Sequence, residues 1–201
     1  MQKLKLHHYF LITLGVILLD QIVKLLVYQN MALENAGEIK VLGDWFKLHY
    51  TTNPGMAFGL KIPGQYGKVI LSLIRVGAMF GIGWYISHLY KKDTHPGFLL
   101  CIALILGGAI GNLVDSIFYG LLDPSLLVNA APIKLFHGQV IDMFYFDIAK
   151  GYFPDWVPIW GNSYYAFWPI FNIADSAIFI AVCIILVWQK RFFMKEEEQR
   201  K

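Results

Sequence analysis

Two polar pairs in this chain stand inside apolar runs, where polar groups are costly. Asn112 and Asp115 form one pair, Asn172 and Asp175 the other. Both have i,i+3 spacing, which places the two side chains on one face of a helix. A third carboxylate, Asp142, is framed by Ile141 and Met143, a poor setting for a solvated loop acid. Two carboxyl groups brought close together in a low-dielectric site cannot both ionise easily, so one keeps its proton. Such a pair activates water as a base and protonates a leaving amide nitrogen as an acid, which is peptide hydrolysis. It needs no metal and no Ser or Cys nucleophile. The chain offers little competition. Gly161-Asn162-Ser163-Tyr164-Tyr165 lacks the G-x-S-x-G pattern, and there is no H-E-x-x-H motif. The six His are scattered and the two Cys lie in apolar runs, so neither a metal nor a cofactor is expected.

The elements that must hold these groups are membrane helices. Hydrophobic residues make up 57% of the 201 residues and charged ones 15%, against about 25% charged in a soluble domain. Mean hydropathy is +0.51. These values exclude a disordered chain, a disulfide scaffold and a typical cytosolic enzyme. Basic residues gather at the ends of apolar stretches, as topology signals do, so no nucleic acid partner is expected. Four stretches are long enough to span, at about 10–28, 69–90, 98–118 and 168–188. Lys3, Lys5, Lys91, Lys92, Lys190, Arg191, Lys195, Arg200 and Lys201 flank one side closely. Both termini are therefore expected in the cytoplasm. Span one is read as retained rather than cleaved, because no small-x-small site ends its apolar run.

Depth sharpens the picture. At 1.5 Å per residue, Asp115 lies about 5 Å, Lys24 about 6 Å, Arg75 about 9 Å, Asp175 about 10 Å and Asp20 about 12 Å below the outer span ends. All five fall in the outer leaflet, and the inner halves carry no charge. Independent accidents would scatter them; one polar site just beneath the outer surface would not. Depth alone pairs Asp115 with Asp175. Asp20 and Lys24, at i and i+4, read as an internal ion pair that fixes helix packing. Asp142 taken alone reads as a turn or cap residue. A proton- or ion-coupled transporter is the main rival, but it needs polar groups at several depths. A non-enzymatic membrane assembly factor is the second, its polar residues serving only to staple helices.

The outer segments differ. Residues 29–68 alternate in period two and then turn Gly/Pro-rich, which predicts short strands. Residues 119–167 are dense in aromatics and are expected to lie on the membrane surface. The fold class is an all-α membrane protein: four transmembrane helices, a small extracytoplasmic β-rich segment and a long aromatic outer loop, in a single membrane domain over 1–201.

Five blocks, in order from residue 20 to residue 176, resemble the lipoprotein signal peptidase (signal peptidase II) family. They are Asp20-Gln21-Ile22-Val23-Lys24, Asn53-Pro54-Gly55-Met56-Ala57-Phe58-Gly59, Gly107 to Asp115, Val140-Ile141-Asp142-Met143 and Phe171 to Ser176. The resemblance implies a bacterial inner-membrane aspartic endopeptidase. It would remove the signal peptide of diacylglyceryl-modified prolipoproteins, cutting just before the lipidated cysteine. It implies Asp142 and Asp175 as the catalytic pair, with Asp115 in support. Asn53, Gly55, Asn112 and Asn172 would position substrate or orient the carboxylates. Prolipoprotein, membrane lipids and globomycin-type peptide inhibitors are the implied partners, and a monomer is the default. The family carries Arg directly after the third-block Asp, where this chain has Ser116; Arg75, at similar depth, is expected to replace it. The loops on either side of Asp142 are longer than usual in the family, enough for an enlarged lid or a membrane-surface plate.

Overall fold

The computed structural model describes residues 4–54, 66–92, 94–128, 134–158, 160–166 and 169–198. Its elements are α1 (Leu6–Asn30), β1 (Ile39–Leu42), β2 (Phe46–Asn53), α2 (Gly67–Lys91), α3 (Pro96–Leu122), β3 (Val140–Phe146), β4 (Lys150–Tyr152), β5 (Tyr164–Ala166) and α4 (Ile173–Glu198). Four helices are long and apolar enough to cross a membrane. Their outward faces carry large side chains such as Leu18, Ile22, Ile74, Phe80 and Val187, all more than half exposed, as lipid-facing residues are in a chain without its solvent.

Contacts divide the chain into two compact units, the first comprising residues 1–23, 53–140 and 173–201. Within it α3 is the most buried helix and packs against both α2 and α4. It begins cleanly: His95 accepts a hydrogen bond from the Gly97 amide at 3.1 Å, and Pro96 occupies the first turn, where its missing N–H is harmless. Small residues then let the neighbours close in. A Cβ at Gly107 would lie 2.7 Å from that of Val16 on α1, and one at Gly108 would strike the Ala174 carbonyl of α4. Thr13 Oγ1 reinforces the α1–α3 contact by donating to the Ala103 carbonyl at 2.9 Å. Towards the chain termini the core is apolar, with Tyr9, Ile86, Leu99, Cys101 and Ala181 buried together. After α3, a 3-10 turn over Pro124–Leu126 reverses the chain. The amides of Phe136 and Gly138 return to the carbonyls of Ile117 and Ser116.

The second unit comprises residues 24–52 and 141–172. Its sheet has the order β1-β2-β3, with β1 and β2 antiparallel through Ile39–Leu48 and Leu42–Phe46. Gly43, at φ +53°, makes the turn between them, a conformation that favours glycine. Trp45, Phe46, Phe144, Phe146 and Phe171 stack ring against ring. Beside them Lys47 bridges Glu38 and Asp147, both at 2.7 Å, and Lys150 adds a second cation to Asp147 at 2.9 Å. Hydrogen bonds from Lys47 and then Lys150 push the Asp147 carboxyl down to about 2. The Lys47 bond also lowers Glu38, and the two acids raise Lys47 in return. Between β3 and residue 171 the chain forms an antiparallel β4–β5 ribbon.

Two expectations need correction. The fourth helix starts at Ile173 and not at Trp168, which lies outside the described residues. Pro169 disfavours helix in the residue before it, and Phe171 is engaged in reciprocal backbone bonds with Phe144, at 2.8 and 3.1 Å. Asp175 therefore sits in the first turn of α4, about 3 Å from its start instead of 10 Å. The Asp142 stretch is a strand, β3, added to the sheet begun by β1 and β2, rather than the turn or cap that Asp142 taken alone suggests. The other helices run past their expected ends, α1 as far as Asn30 and α3 as far as Leu122.

Candidate active site

In the first unit Asp20, Arg75, Asp115 and Asp175 gather around the C-terminal half of α3. Asn112 Nδ2 donates to Asp175 Oδ1 at 2.8 Å, joining α3 to the first turn of α4. Asp20 on α1 accepts from the Ala174 backbone amide at 2.9 Å. That amide is one of the four at a helix start with no partner inside the helix. Asp20 thus caps α4 from another helix. The close approach has a cause in sequence: a Cβ at Gly111 would lie 2.7 Å from Asp20 Oδ2. Asp115, fully buried, accepts from Gln21 Nε2 at 2.8 Å. Gln21 also reaches Asp20 and the Gly111 carbonyl at 3.2 Å, and its own carbonyl accepts from Tyr119.

The cations lie on the α2 side. Arg75 Nη1 is 3.5 Å from Ser116 Oγ, and its charge is within electrostatic range of Asp175. The expected replacement for the family Arg is thus directed at the very residue that stands in that Arg's place. Lys68 is nearer still: its Nζ donates to Ser116 Oγ at 3.1 Å and to the Pro54 carbonyl at 2.6 Å.

In the second unit β3 carries Asp142 into a buried position, 2% exposed. Asn172, fully buried, donates to Asp142 Oδ1 at 2.6 Å and to the Ile141 carbonyl at 3.3 Å. The reciprocal Phe144–Phe171 pairing sets this register, placing residue 172 beside the start of β3. Lys24 is also fully buried here. Asn53 ends β2, and Gly55 lies outside the described residues. Among the described residues no group of three or more His, Cys, Asp or Glu is placed to hold a metal ion.

Sequence reasoning missed two residues of this constellation. Gln21 was visible only as a polar neighbour of Asp20, although an amide inside an apolar helix is itself a signal. Lys68 fell just outside the second span expected at 69–90; α2 starts at Gly67 and takes Lys68 into its first turn.

The family described as signal peptidase (SPase) II matches residues 12–191. The lipoprotein signal peptidase of Amoebophilus asiaticus is 45% identical over 200 residues, covering 98% of this chain and 83% of that one. That of Porphyromonas gingivalis is 39% identical over 185 residues, covering 87% and 79%. A bacterial membrane enzyme solved by the in meso method at 2.3 Å shares the fold with a TM-score of 0.60 at 22% identity, covering 94% of this chain and 92% of that one. Transporter and assembly-factor readings find no support among these similarities. Four spans, the five ordered motifs and near full-length similarity together place the chain in the signal peptidase II family, as a multi-pass bacterial membrane protein.

Proposed function

We propose that this chain is an aspartic endopeptidase that removes the signal peptide of diacylglyceryl-modified prolipoproteins, cutting before the lipidated cysteine. Asp142 and Asp175 are its catalytic residues. The observation that carries the reading is a repeated lock: one oxygen of each carboxylate is held by an asparagine amide, Asn172 on Asp142 and Asn112 on Asp175. An amide donor stabilises the charged form of a carboxylate and fixes its orientation. In the proposed reaction one Asp, ionised, takes a proton from water. The hydroxide adds to the scissile carbonyl, and the other Asp, protonated, gives its proton to the departing amide nitrogen. No metal or cofactor takes part.

The remaining roles follow from position. Asp20, Lys24 and Asp115 fix the packing of the helices, Asp20 by capping the one that carries Asp175. Asn53, at the end of β2, and Gly55 contact the extended substrate backbone. Arg75 supplies positive charge near Asp175. The two units act as one membrane domain, a monomer with both termini in the cytoplasm and the reaction at the outer face. There the acyl chains of the substrate cysteine hold the scissile bond near the lipid–water boundary. Globomycin-type peptides are expected to inhibit the reaction. Reporter fusions to each terminus check the orientation.

The deciding experiment is cleavage of a purified diacylglyceryl precursor, read by gel shift. Asp142→Asn and Asp175→Asn are each expected to lower the rate by a factor of roughly 100 to 10,000, with unchanged yield and thermal unfolding. Either variant cutting at the full rate sinks the assignment. Reduced abundance in place of reduced activity would point to a stapling role alone.

A further inference from the structure

Lys68 is placed against every ordinary preference of a lysine. It is only 9% exposed. Among the described residues no carboxylate lies within 4 Å of its ammonium. Lysine is almost never fully buried unless paired, and a buried charge without a counter-ion is strongly unfavourable. It is also the second residue of α2, where the helix dipole is positive and disfavours a cation. Nothing in the packing of α2 calls for it, since an apolar residue of similar length would fill the same space.

What the ammonium does instead is link two parts of the site. It donates to the carbonyl of Pro54, the residue that follows β2, at 2.6 Å. It also donates to Ser116 Oγ at 3.1 Å. Ser116 in turn donates to the Asn112 carbonyl at 3.0 Å, and the Asn112 side chain holds Asp175. A continuous path of hydrogen bonds therefore runs from Pro54 through Lys68, Ser116 and Asn112 to Asp175. Arg75 approaches the same Ser116 hydroxyl from one side, and Asp115 lies within electrostatic range of Lys68.

From this geometry we infer that Lys68 is a positioning residue of the reaction, the principal cation that fills the place left by Ser116. It ties the Pro54 backbone to α3 while setting the positive field in which Asp175 works. The inference rests on the peptidase reading. It shifts the main share of the missing arginine's role from Arg75 to Lys68.

The test uses the full-length enzyme in detergent micelles with a diacylglyceryl precursor, reading kcat and KM separately and unfolding temperature in parallel. Lys68→Met is expected to lose roughly 10- to 100-fold in kcat with little change in unfolding. Lys68→Arg keeps most of the activity. The double variant Lys68→Met/Ser116→Arg restores it by returning the charge from α3, whereas Lys68→Met/Ser116→Gln does not. Full activity in Lys68→Met overturns the inference, as does equal rescue by Ser116→Arg and the neutral Ser116→Gln. If Lys68→Met fails to fold, an inactive but well-folded Lys68→Arg overturns the inference, and an active one upholds it. A wild-type chain that leaves the precursor intact removes the peptidase reading and this role together. A cleaving wild type beside an equally active Lys68→Met removes this role alone.

Discussion

Asp20 accepts the backbone amide of Ala174 at 2.9 Å, so a carboxylate of the first helix caps the start of the fourth. The next residue is Asp175. A helix start that is anchored from outside gives the side chain one position later a defined place, and Asn112 completes the restraint.

Asp20→Ala is therefore expected to destabilise the protein by about 1–2 kcal/mol, the usual worth of a lost cap at the upper end of its range. Asp20→Asn keeps an oxygen acceptor and is expected to fall between Asp20→Ala and wild type. Thermal unfolding in micelles checks the order. An Asp20→Ala protein as stable as wild type would show that the cap is idle.

Removal of either asparagine lock tests orientation apart from folding. A hydrogen bond to a charged group contributes about 1.5–3 kcal/mol. Asn172→Ala and Asn112→Ala are thus expected to lower kcat by roughly 10- to 100-fold, with smaller changes in KM. Single-turnover cleavage of the lipidated precursor separates the two. A change confined to KM would assign the asparagines to substrate binding instead.

The glycines of α3 make a steric prediction. Gly108→Val places a branched side chain against the Ala174 carbonyl and is expected to cost about 1–3 kcal/mol or more. Gly15→Ala, on α1 with nothing within 4 Å of the added carbon, is expected to be neutral or to stabilise by about 0.5–1 kcal/mol. Measured expression and unfolding temperatures of the pair should diverge. Similar values for both would refute the close packing of α3 on α4.

Acid sensitivity follows from the Asp147 cluster. Its carboxyl titrates near about 2 in the folded chain, because Lys47 and Lys150 stabilise the charged form, and at about 3.9 in an unfolded one. A lowered folded-state value means stabilisation that is complete above the unfolded value and lost as pH falls through the folded one. The unfolding temperature of wild type should exceed that of Asp147→Asn at pH 6. The gap should close between about pH 4 and pH 2. A gap independent of pH across that window would show that the ion pairs contribute nothing.

Much of this was legible in the residues. The four spans stand out because lipid demands about 20 apolar residues in a row, a signal that averages over local detail. The acids stood out because charge inside such a span is rare. Helix ends were less readable. Pro169 and the Phe171 pairing with Phe144 cut α4 short, and a hydropathy window does not register a backbone bond to a strand far away in sequence. For the same reason β3 escaped: Val140 to Phe146 is apolar enough for either element, and only its pairing decides. Gln21 and Lys68 escaped because their importance lies in their partners, and partners are tertiary facts.

The doubled backbone bond between Phe144 and Phe171 closes the base of the stretch that holds the β4–β5 ribbon. Growth or shrinkage of that ribbon leaves the spacing of its two anchor points alone. Lineages can lengthen, shorten or redecorate this stretch to suit their own envelopes without disturbing the acids on either side of it.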